Sequence, residues 1–176
     1  VELGIVDATL VGDADMIAKV CEEEKLDSSV FQIVDVKEEL KAISTAVDMI
    51  NNKEGDILMK GLCSTDKYMR AILKKEGGLL PPKAVLSHVA VLESPHYHKL
   101  MIISDMAVIP APDLKQKEAI TKYVVNTAKA LQIEKPKVAF IAATEQMLPG
   151  MQACVDAAIL AKMVDRGQIP GCVADG

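Results

Sequence analysis

The stretch that decides the fold is GDILMKGLCSTDKYMRAIL, which occupies residues 55–73. Its apolar run at residues 57–59 predicts a short strand, and apolar side chains in its second half recur with helical spacing. Between them, Gly61 allows a turn without a Cβ penalty, and Ser64 or Thr65 can cap the helix. The pattern predicts a strand, a tight turn and a helix whose first amides can bind an anion such as phosphate.

Helical and strand patterns alternate along nearly the whole chain, which predicts an α/β fold with a mostly parallel sheet. The predicted helices cover residues 16–25, 40–50, 64–73, 114–131 and 151–164, and Asp13, Asp35 and Asp113 are expected to cap the first, second and fourth of them. Residues 1–11 are apolar and β-leaning, and the predicted strands cover 30–36, 57–59, 84–92, 100–104, 138–142 and 172–174. The strands at 84–92 and 100–104 are expected to form an antiparallel hairpin. A Gly/Pro cluster at residues 77–82 marks the expected boundary between two α/β domains, 1–80 and 81–176.

Composition and charge exclude several classes of function. The chain has 20 Lys and Arg against 25 Asp and Glu, and no basic stretch with interleaved aromatic residues, which argues against a nucleic-acid partner. No apolar run reaches the ~18 residues of a membrane span, and the first residues do not resemble a signal peptide. The four cysteines are widely spaced and lie in or beside apolar segments, which favours buried free thiols over disulfides or metal ligands. We therefore expect a cytoplasmic protein.

Polar residues follow several predicted strands, and ligands of open α/β sheets bind beyond the carboxyl ends of strands. These residues are Lys60-Gly61 with Ser64-Thr65, Ser104-Asp105, Thr144-Glu145 with Gly150, and Asp175-Gly176. If the strands are parallel, their ends share one rim. Each residue also has a simpler interpretation: Lys60 as a solvated lysine, Asp105 as a loop cap, and Thr144 as the start of the next helix.

Two polar residues, Ser87 and His88, lie in the middle of a predicted apolar strand. Regular pleating directs them to opposite faces, so at most one can line a given cleft. The alternative is that such a residue is satisfied inside the core. His96 and His98 lie in the predicted hairpin loop and form no metal-binding set with His88, so no metal site is expected. The chain also lacks the sequence signatures of a serine nucleophile elbow, a P-loop and a dinucleotide-binding turn.

Several segments, in order along the chain, resemble the phosphate acetyl/butyryltransferase family, and its phosphate butyryltransferase branch in particular. They are GDILMKGLCSTDKYMRAIL, LSHVAVLESP, IISDMAVIPAPDLKQK, KVAFIAATE and VDAAILAKMVDRGQIPGCVADG. The resemblance implies an isocitrate/isopropylmalate dehydrogenase-like, two-domain α/β fold. It implies an enzyme that interconverts acyl-CoA plus phosphate with acyl phosphate plus CoA, by direct attack of the thiol, on a butyryl or other short or branched acyl group.

The resemblance also assigns roles to residues and partners. It places the binding of phosphate or the CoA arm on Lys60, Gly61, Ser64, Thr65, Ser87 and Thr144. It makes Asp105 the candidate for a catalytic or positioning role, though not for the general base. It implies acyl-CoA, phosphate and acyl phosphate as substrates and products, no permanently bound cofactor, and a homodimer.

One departure from the family pattern affects the expected activity. Family members continue past the Asp-Gly that stands here at Asp175-Gly176, and they usually have more sequence before the match begins. We therefore expect a truncated second domain and little or no turnover from these 176 residues alone. Two other hypotheses stay open: a non-catalytic CoA- or phosphate-binding module or degenerate homologue, and an oxidoreductase of related fold, which the missing nucleotide fingerprint disfavours.

Overall fold

Helices form at all five places where apolar side chains recur with helical spacing. The computed structural model describes residues 1–176. Its helices are α1 (Ala14–Glu23), α2 (Glu39–Asn51), α3 (Thr65–Ile72), α4 (Leu114–Ala130) and α5 (Gln152–Asp165). None of them is both long and apolar enough to cross a membrane.

The strands pair two by two instead of joining one mostly parallel sheet. They are β1 (Thr9–Gly12), β2 (Gln32–Asp35), β3 (Ala90–Ser94), β4 (Tyr97–Ile103), β5 (Lys137–Ala139) and β6 (Val173–Asp175). The pairs β1–β2 and β5–β6 are parallel, and β3–β4 is an antiparallel hairpin. The α/β class and the hairpin are confirmed, whereas the expectation of one extended sheet with a shared rim is wrong.

The chain divides into two compact units, Val1–Ala84 and Val85–Gly176. In the first unit, α2 packs against β1 and α3 and buries Ile43 and Val47. In the second unit, the core is a cluster of Val125, Leu160, Ile169 and Cys172.

The strand predicted at residues 57–59 does not form. These residues belong to a loop, in which Ile57 is 73% and Met59 83% exposed. The two strands of the first unit pair with each other and not with the loop. The carbonyl oxygen of Leu58 accepts a hydrogen bond from the Tyr68 hydroxyl instead of from a neighbouring strand. The helix of the predicted strand-turn-helix is correct and its strand is not.

The strand predicted at residues 84–92 begins only at Ala90. Just before that point, side chains replace the backbone pairing: the His88 amide donates to the Asp105 carboxylate, and the His88 carbonyl accepts from the Ser104 hydroxyl. These bonds satisfy the backbone of His88 without extending the ladder. A residue that reads as mid-strand in the sequence therefore lies at the open end of the hairpin.

Helices α4 and α5 are joined by a buried ion pair. The Lys117 ammonium lies 2.6 Å from Asp156 Oδ2, and the Asp156 side chain is only 3% exposed. The Gln152 side-chain amide donates to the other carboxylate oxygen at 2.8 Å. Burial opposes ionisation of Asp156, but the bonds from Lys117 and Gln152 outweigh it and hold the pKa of this carboxyl below its usual value. The charge of Asp156 is therefore part of the packing of the second unit.

Candidate functional site

The loop that follows residue 57 lines a groove of about 270 Å³ in the first unit. The ends of β1 and β2 and the start of α2 form the opposite wall. The lining residues are Val11, Gly12, Asp13, Val36, Lys37, Glu39, Ala42, Ile43, Ala46, Leu58, Met59, Lys60, Gly61, Leu62, Cys63 and Tyr68. The groove therefore lies where the carboxyl ends of two parallel strands meet a loop, as α/β ligand sites do.

Tyr68, from the first turn of α3, holds this loop against the helix. Its hydroxyl donates to the carbonyl of Leu58 at 3.2 Å. Burial raises the pKa of Tyr68, and the neighbouring Cys63 raises it further, so the phenol stays protonated and remains a donor at neutral pH. Tyr68 thus ties the loop to α3 through a side-chain hydrogen bond.

Replacing Tyr68 with phenylalanine should loosen the loop without emptying the space that the ring fills. Loss of one neutral hydrogen bond is worth about 0.5–1.5 kcal/mol, so trypsin cleavage after Lys60 should accelerate by about 2- to 10-fold. The matched control is Tyr123→Phe, which removes a 2.8 Å bond to the Val85 carbonyl in the other unit. Equal cleavage rates after Lys60 in both variants would contradict the role assigned to Tyr68.

Lys60 is the one lysine lining the groove that has no carboxylate partner. Its ammonium donates only to the carbonyl of Gly61, at 3.2 Å, whereas Lys37 pairs with Asp15 at 3.1 Å. The hydrogen bond from Asp15 raises the pKa of Lys37, and nearby Asp13 and Asp35 add to the effect. An anion that enters the groove therefore finds its available positive charge on Lys60.

Gly61 does not need the conformational freedom that the sequence suggests. Its φ lies outside the left-handed region, and an added Cβ would meet no atom within 4 Å. The backbone reason given for a glycine here is therefore wrong. Its predicted contact with a ligand stays a prediction.

The start of α3 already holds an anion from the chain itself. The amide of Ser64 donates to Glu39 Oε1 at 2.7 Å, and Lys67 pairs with the other oxygen of the same carboxylate. The bond from Lys67, followed by that from the Ser64 amide, lowers the pKa of Glu39. Ser64 occupies the N-cap position, but its hydroxyl makes no cap bond, and Thr65 is the first, exposed residue of the helix. Glu39 thus binds the N-cap amide of the helix whose first amides were predicted to bind an anion.

The start of α1 is also occupied by carboxylates. Asp13 accepts from the amides of Asp15 and Met16, and Asp35 accepts from the amide of Ala14 at 3.0 Å. The sequence indicated the cap at Asp13 but assigned Asp35 to the wrong helix, since the pattern predicted that it would cap α2. These carboxylates leave no free first-turn amide here for an external anion.

In the second unit, the predicted residues Ser87 and Asp105 contact each other directly. The Ser87 hydroxyl donates to Asp105 Oδ2 at 3.0 Å, and the His88 amide donates to the same oxygen at 3.2 Å. Asp105 Oδ1 accepts from the amides of Ala107 and Val108, each at 2.8 Å. One carboxylate therefore ties the loop after β4 to the segment before β3.

This environment fixes the charge of Asp105. Burial opposes ionisation, but the amides of Val108, Ala107 and His88 and the hydroxyl of Ser87 outweigh it. They hold the pKa of Asp105 well below its usual value. Because a general base works best with a pKa near the operating pH, this carboxylate is a poor proton acceptor at neutral pH. The geometry fits a positioning role.

Ser104 belongs to the same network, although the family resemblance assigned it no role. Its hydroxyl donates to the His88 carbonyl and lies 3.2 Å from the Ser87 hydroxyl oxygen. The only signal in the sequence was its place beside Asp105 at the end of a predicted strand.

His88 differs from the expectation of a polar residue satisfied in the core. Its Nδ1 atom is buried and has no hydrogen-bond partner. The expectation does hold for Ser87, whose hydroxyl bonds Asp105. Buried polar atoms without partners are uncommon in native proteins, which marks His88 as a residue that sequence reasoning undervalued.

Thr144 lies in the loop after β5 and is not bonded to this network. Its hydroxyl oxygen accepts from the amide of Gln146 at 3.2 Å, a local turn contact. No three His, Cys, Asp or Glu side chains come close enough together to hold a metal ion. All four cysteines are free, and three of them are buried.

Comparison with known proteins identifies the family. The model of the family described as "Phosphate acetyl/butaryl transferase" matches residues 37–176. The chain belongs to this family. The match includes both the Lys60 loop and the Ser87–Asp105 network, so each cluster lies in the part that the transferase family shares.

Relatives of this transferase family are similar over nearly the whole chain. The chain is 43% identical over 173 residues to the phosphate butyryltransferase of Clostridium acetobutylicum, and 41% identical over 175 residues to that of Clostridium beijerinckii. These matches cover 98% and 99% of the chain but only 57% and 58% of the two relatives. The chain thus spans less than two thirds of their length.

A solved structure gives the same fold. The branched-chain phosphotransacylase from Enterococcus faecalis V583 superimposes with a TM-score of 0.77 at 24% sequence identity. The superposition covers 96% of this chain and 67% of that structure. The α/β arrangement described here is therefore the arrangement found in a phosphotransacylase.

Proposed function

We propose that the protein is a phosphate acyltransferase, which converts acyl-CoA and phosphate into acyl phosphate and CoA, and the reverse. The observation that carries this proposal is the 43% identity to a phosphate butyryltransferase over 173 residues. The proposed acyl group is butyryl or another short or branched chain, because the two relatives compared are butyryltransferases.

The proposed chemistry is direct attack of the CoA thiol on the carbonyl carbon of the acyl phosphate. A new C–S bond forms, the bond from that carbon to the phosphate oxygen breaks, and phosphate leaves with the electron pair of that bond. The thiolate is the nucleophile, and a free thiol has a pKa near 8.5, so a base must take its proton. The low pKa of Asp105 argues against that carboxylate as the base. No enzyme nucleophile and no metal are required in this scheme.

The roles we propose for the predicted residues follow from their contacts. Lys60 attracts the phosphate, because it is the groove-lining lysine without a carboxylate partner. Asp105 positions Ser87 and the backbone of His88. Gly61, Ser64, Thr65 and Thr144 are proposed to contact phosphate or CoA.

The broader description of the protein is also a proposal. It comprises an isocitrate/isopropylmalate dehydrogenase-like fold with domains at 1–80 and 81–176, CoA as a substrate and no permanently bound cofactor. A cytoplasmic location and a homodimer complete it. These features are supported by the family membership of residues 37–176.

The function is tested by following CoA release from butyryl-CoA with a thiol reagent, using the full-length gene product. Release that requires phosphate is expected, and comparison with acetyl-CoA ranks the acyl preference. Release without phosphate would indicate a thioesterase. No release, together with measurable CoA binding, would indicate a binding module.

Lys60 provides a more specific prediction. Lys60→Gln should raise the KM for phosphate by about 3- to 10-fold, since an exposed charge-assisted hydrogen bond is worth about 1 kcal/mol. Lys75→Gln is the matched control, because Lys75 is an exposed lysine of the same unit and its replacement changes the net charge equally. An equal rise in the KM for phosphate in both variants would show that Lys60 acts only through the net charge of the protein.

A further inference from the structure

The protons of the Ser87–Ser104–Asp105 network can be assigned from its acceptors. A backbone carbonyl can only accept, so the Ser104 hydroxyl must donate its proton to the His88 carbonyl. Asp105 accepts two amide protons on Oδ1 and one on Oδ2, and bonds of this kind favour the ionised carboxylate. Asp105 is therefore ionised, and the Ser87 hydroxyl donates its proton to it.

This assignment leaves no proton for the 3.2 Å contact between the hydroxyl oxygens of Ser87 and Ser104. Each hydroxyl has one proton, and each proton is already bound to an obligate acceptor. The Ser87 oxygen consequently keeps lone pairs that nothing in the network fills. Ser87 is only partly buried.

We propose that Ser87 binds the substrate as a hydrogen-bond acceptor and that its partner is an N–H or S–H group of CoA. The proposal rests on the proposed transferase function and names the substrate group that this serine recognises. The pantetheine arm of CoA carries amide N–H groups and the thiol, both of which are donors. It narrows the expectation that Ser87 binds phosphate or the CoA arm, because CoA carries donors whereas the oxygens of a fully ionised acyl phosphate can only accept.

The acyl phosphate offers no such donor at alkaline pH. A phosphoryl group attached through one oxygen loses its second proton near pH 6, so at pH 8 all its oxygens are acceptors. Assays in the direction of acyl-CoA formation at pH 8 therefore separate the two substrates. CoA can donate to Ser87, and butyryl phosphate cannot.

The test is steady-state kinetics of the full-length gene product with butyryl phosphate and CoA at pH 8. Ser87→Ala should raise the KM for CoA by about 2- to 10-fold, the factor that one neutral hydrogen bond supplies, and leave the KM for butyryl phosphate within about 2-fold. Ser87→Thr retains the hydroxyl and should restore the KM for CoA. A rise confined to butyryl phosphate, or no change in either KM, would overturn the proposal.

A calorimetric titration separates this proposal from the proposed function and identifies the donor. If the wild-type protein shows no turnover, the transferase assignment fails, and the dissociation constants of CoA for wild type and Ser87→Ala then decide the role of Ser87. Equal dissociation constants would overturn the proposal.

Titration with desulfo-CoA, which lacks the thiol, identifies the donor. A loss of affinity shared by both ligands points to an amide, and a loss seen only for CoA points to the thiol. Hydrogen exchange of the hairpin amides verifies that the variant is folded.

Discussion

Asp105→Asn is expected to destabilise the second unit by roughly 2–4 kcal/mol and to reduce acyl transfer by at least 10-fold. An asparagine presents one acceptor oxygen and one donor NH₂ group, whereas both oxygens of Asp105 receive backbone N–H groups. Either orientation of the amide places its NH₂ group against a backbone donor. A hydrogen bond to a charged group is worth about 1.5–3 kcal/mol, and the backbone amide that faces the NH₂ group loses its partner as well.

The readout is hydrogen exchange of the segments around Ser87 and Val108, measured by mass spectrometry. Amides of the first unit serve as an internal reference in the same experiment. Asp113→Asn is the matched control, because Asp113 caps α4 by accepting from the Gln116 amide, which an asparagine can also do. Similar exchange in the two variants would contradict the role assigned to the Asp105 carboxylate.

The pH dependence of the difference between wild type and Asp105→Asn follows from the lowered pKa of Asp105. The unfolded carboxyl takes up a proton near its usual value of about 3.9, while the folded one stays ionised to lower pH. The stabilisation is therefore fully present above that value and is lost as the pH falls towards the folded pKa. The wild-type advantage should be constant from pH 7 to about pH 5 and should shrink as the solution is acidified below pH 4.

Asp156→Ala is expected to destabilise the second unit by about 3–5 kcal/mol. The substitution leaves the Lys117 side chain, which is 26% exposed, without its partner between α4 and α5. Removal of one member of a buried pair leaves an uncompensated charge, which costs more than the pair itself contributes. Urea denaturation followed by circular dichroism, with exchange of α5 amides, measures the loss.

Two variants control for the loss of helix packing and charge. Asp165→Ala removes an aspartate from the same helix that pairs with Lys162 at 2.9 Å, but both side chains are about 60% exposed, so the cost should stay below about 1 kcal/mol. The double variant Lys117→Met with Asp156→Leu removes both charges and should recover most of the lost stability. If Asp156→Ala lowers the free energy of unfolding by no more than Asp165→Ala does, the role assigned to the Lys117–Asp156 pair is contradicted.

The helices could be predicted because their signals are local. The periodicity in residues 64–73 predicts α3 to within one residue of its bounds, Thr65–Ile72. Asp113 was identified as the cap of α4, and its reciprocal bonds with Gln116 confirm that prediction. Spacing and capping involve residues a few positions apart, and a sequence displays them directly.

The errors have the opposite origin, since each depends on a partner far along the chain. The apolar run at residues 57–59 has strand composition, but no neighbouring strand pairs with it. The ladder before Ala90 is replaced by bonds from Ser104 and Asp105, which are 16 and 17 residues away from His88. Side-chain bonds over such separations leave no periodic trace in the sequence.

The candidate site likewise combines features that the sequence could predict with long-range contacts that it could not. Family resemblance identified Lys60, Ser87 and Asp105 as candidate site residues, but it did not predict that Ser87 and Asp105 form a hydrogen bond with each other. It also missed Glu39, which lies 25 residues before the Ser64 amide that it binds. The residue types of a site can be recognised from a motif, while the state of each proton and charge requires the folded contacts.

The central claim is that acyl transfer occurs directly between CoA and phosphate, without an acyl-enzyme intermediate. Its most direct test is the exchange of isotopically labelled CoA into butyryl-CoA by the full-length gene product, with and without phosphate. We predict exchange only when phosphate is present, because butyryl phosphate is then the carrier of the acyl group. Exchange without phosphate would reveal a covalent acyl-enzyme, and no exchange under either condition would contradict the transferase itself.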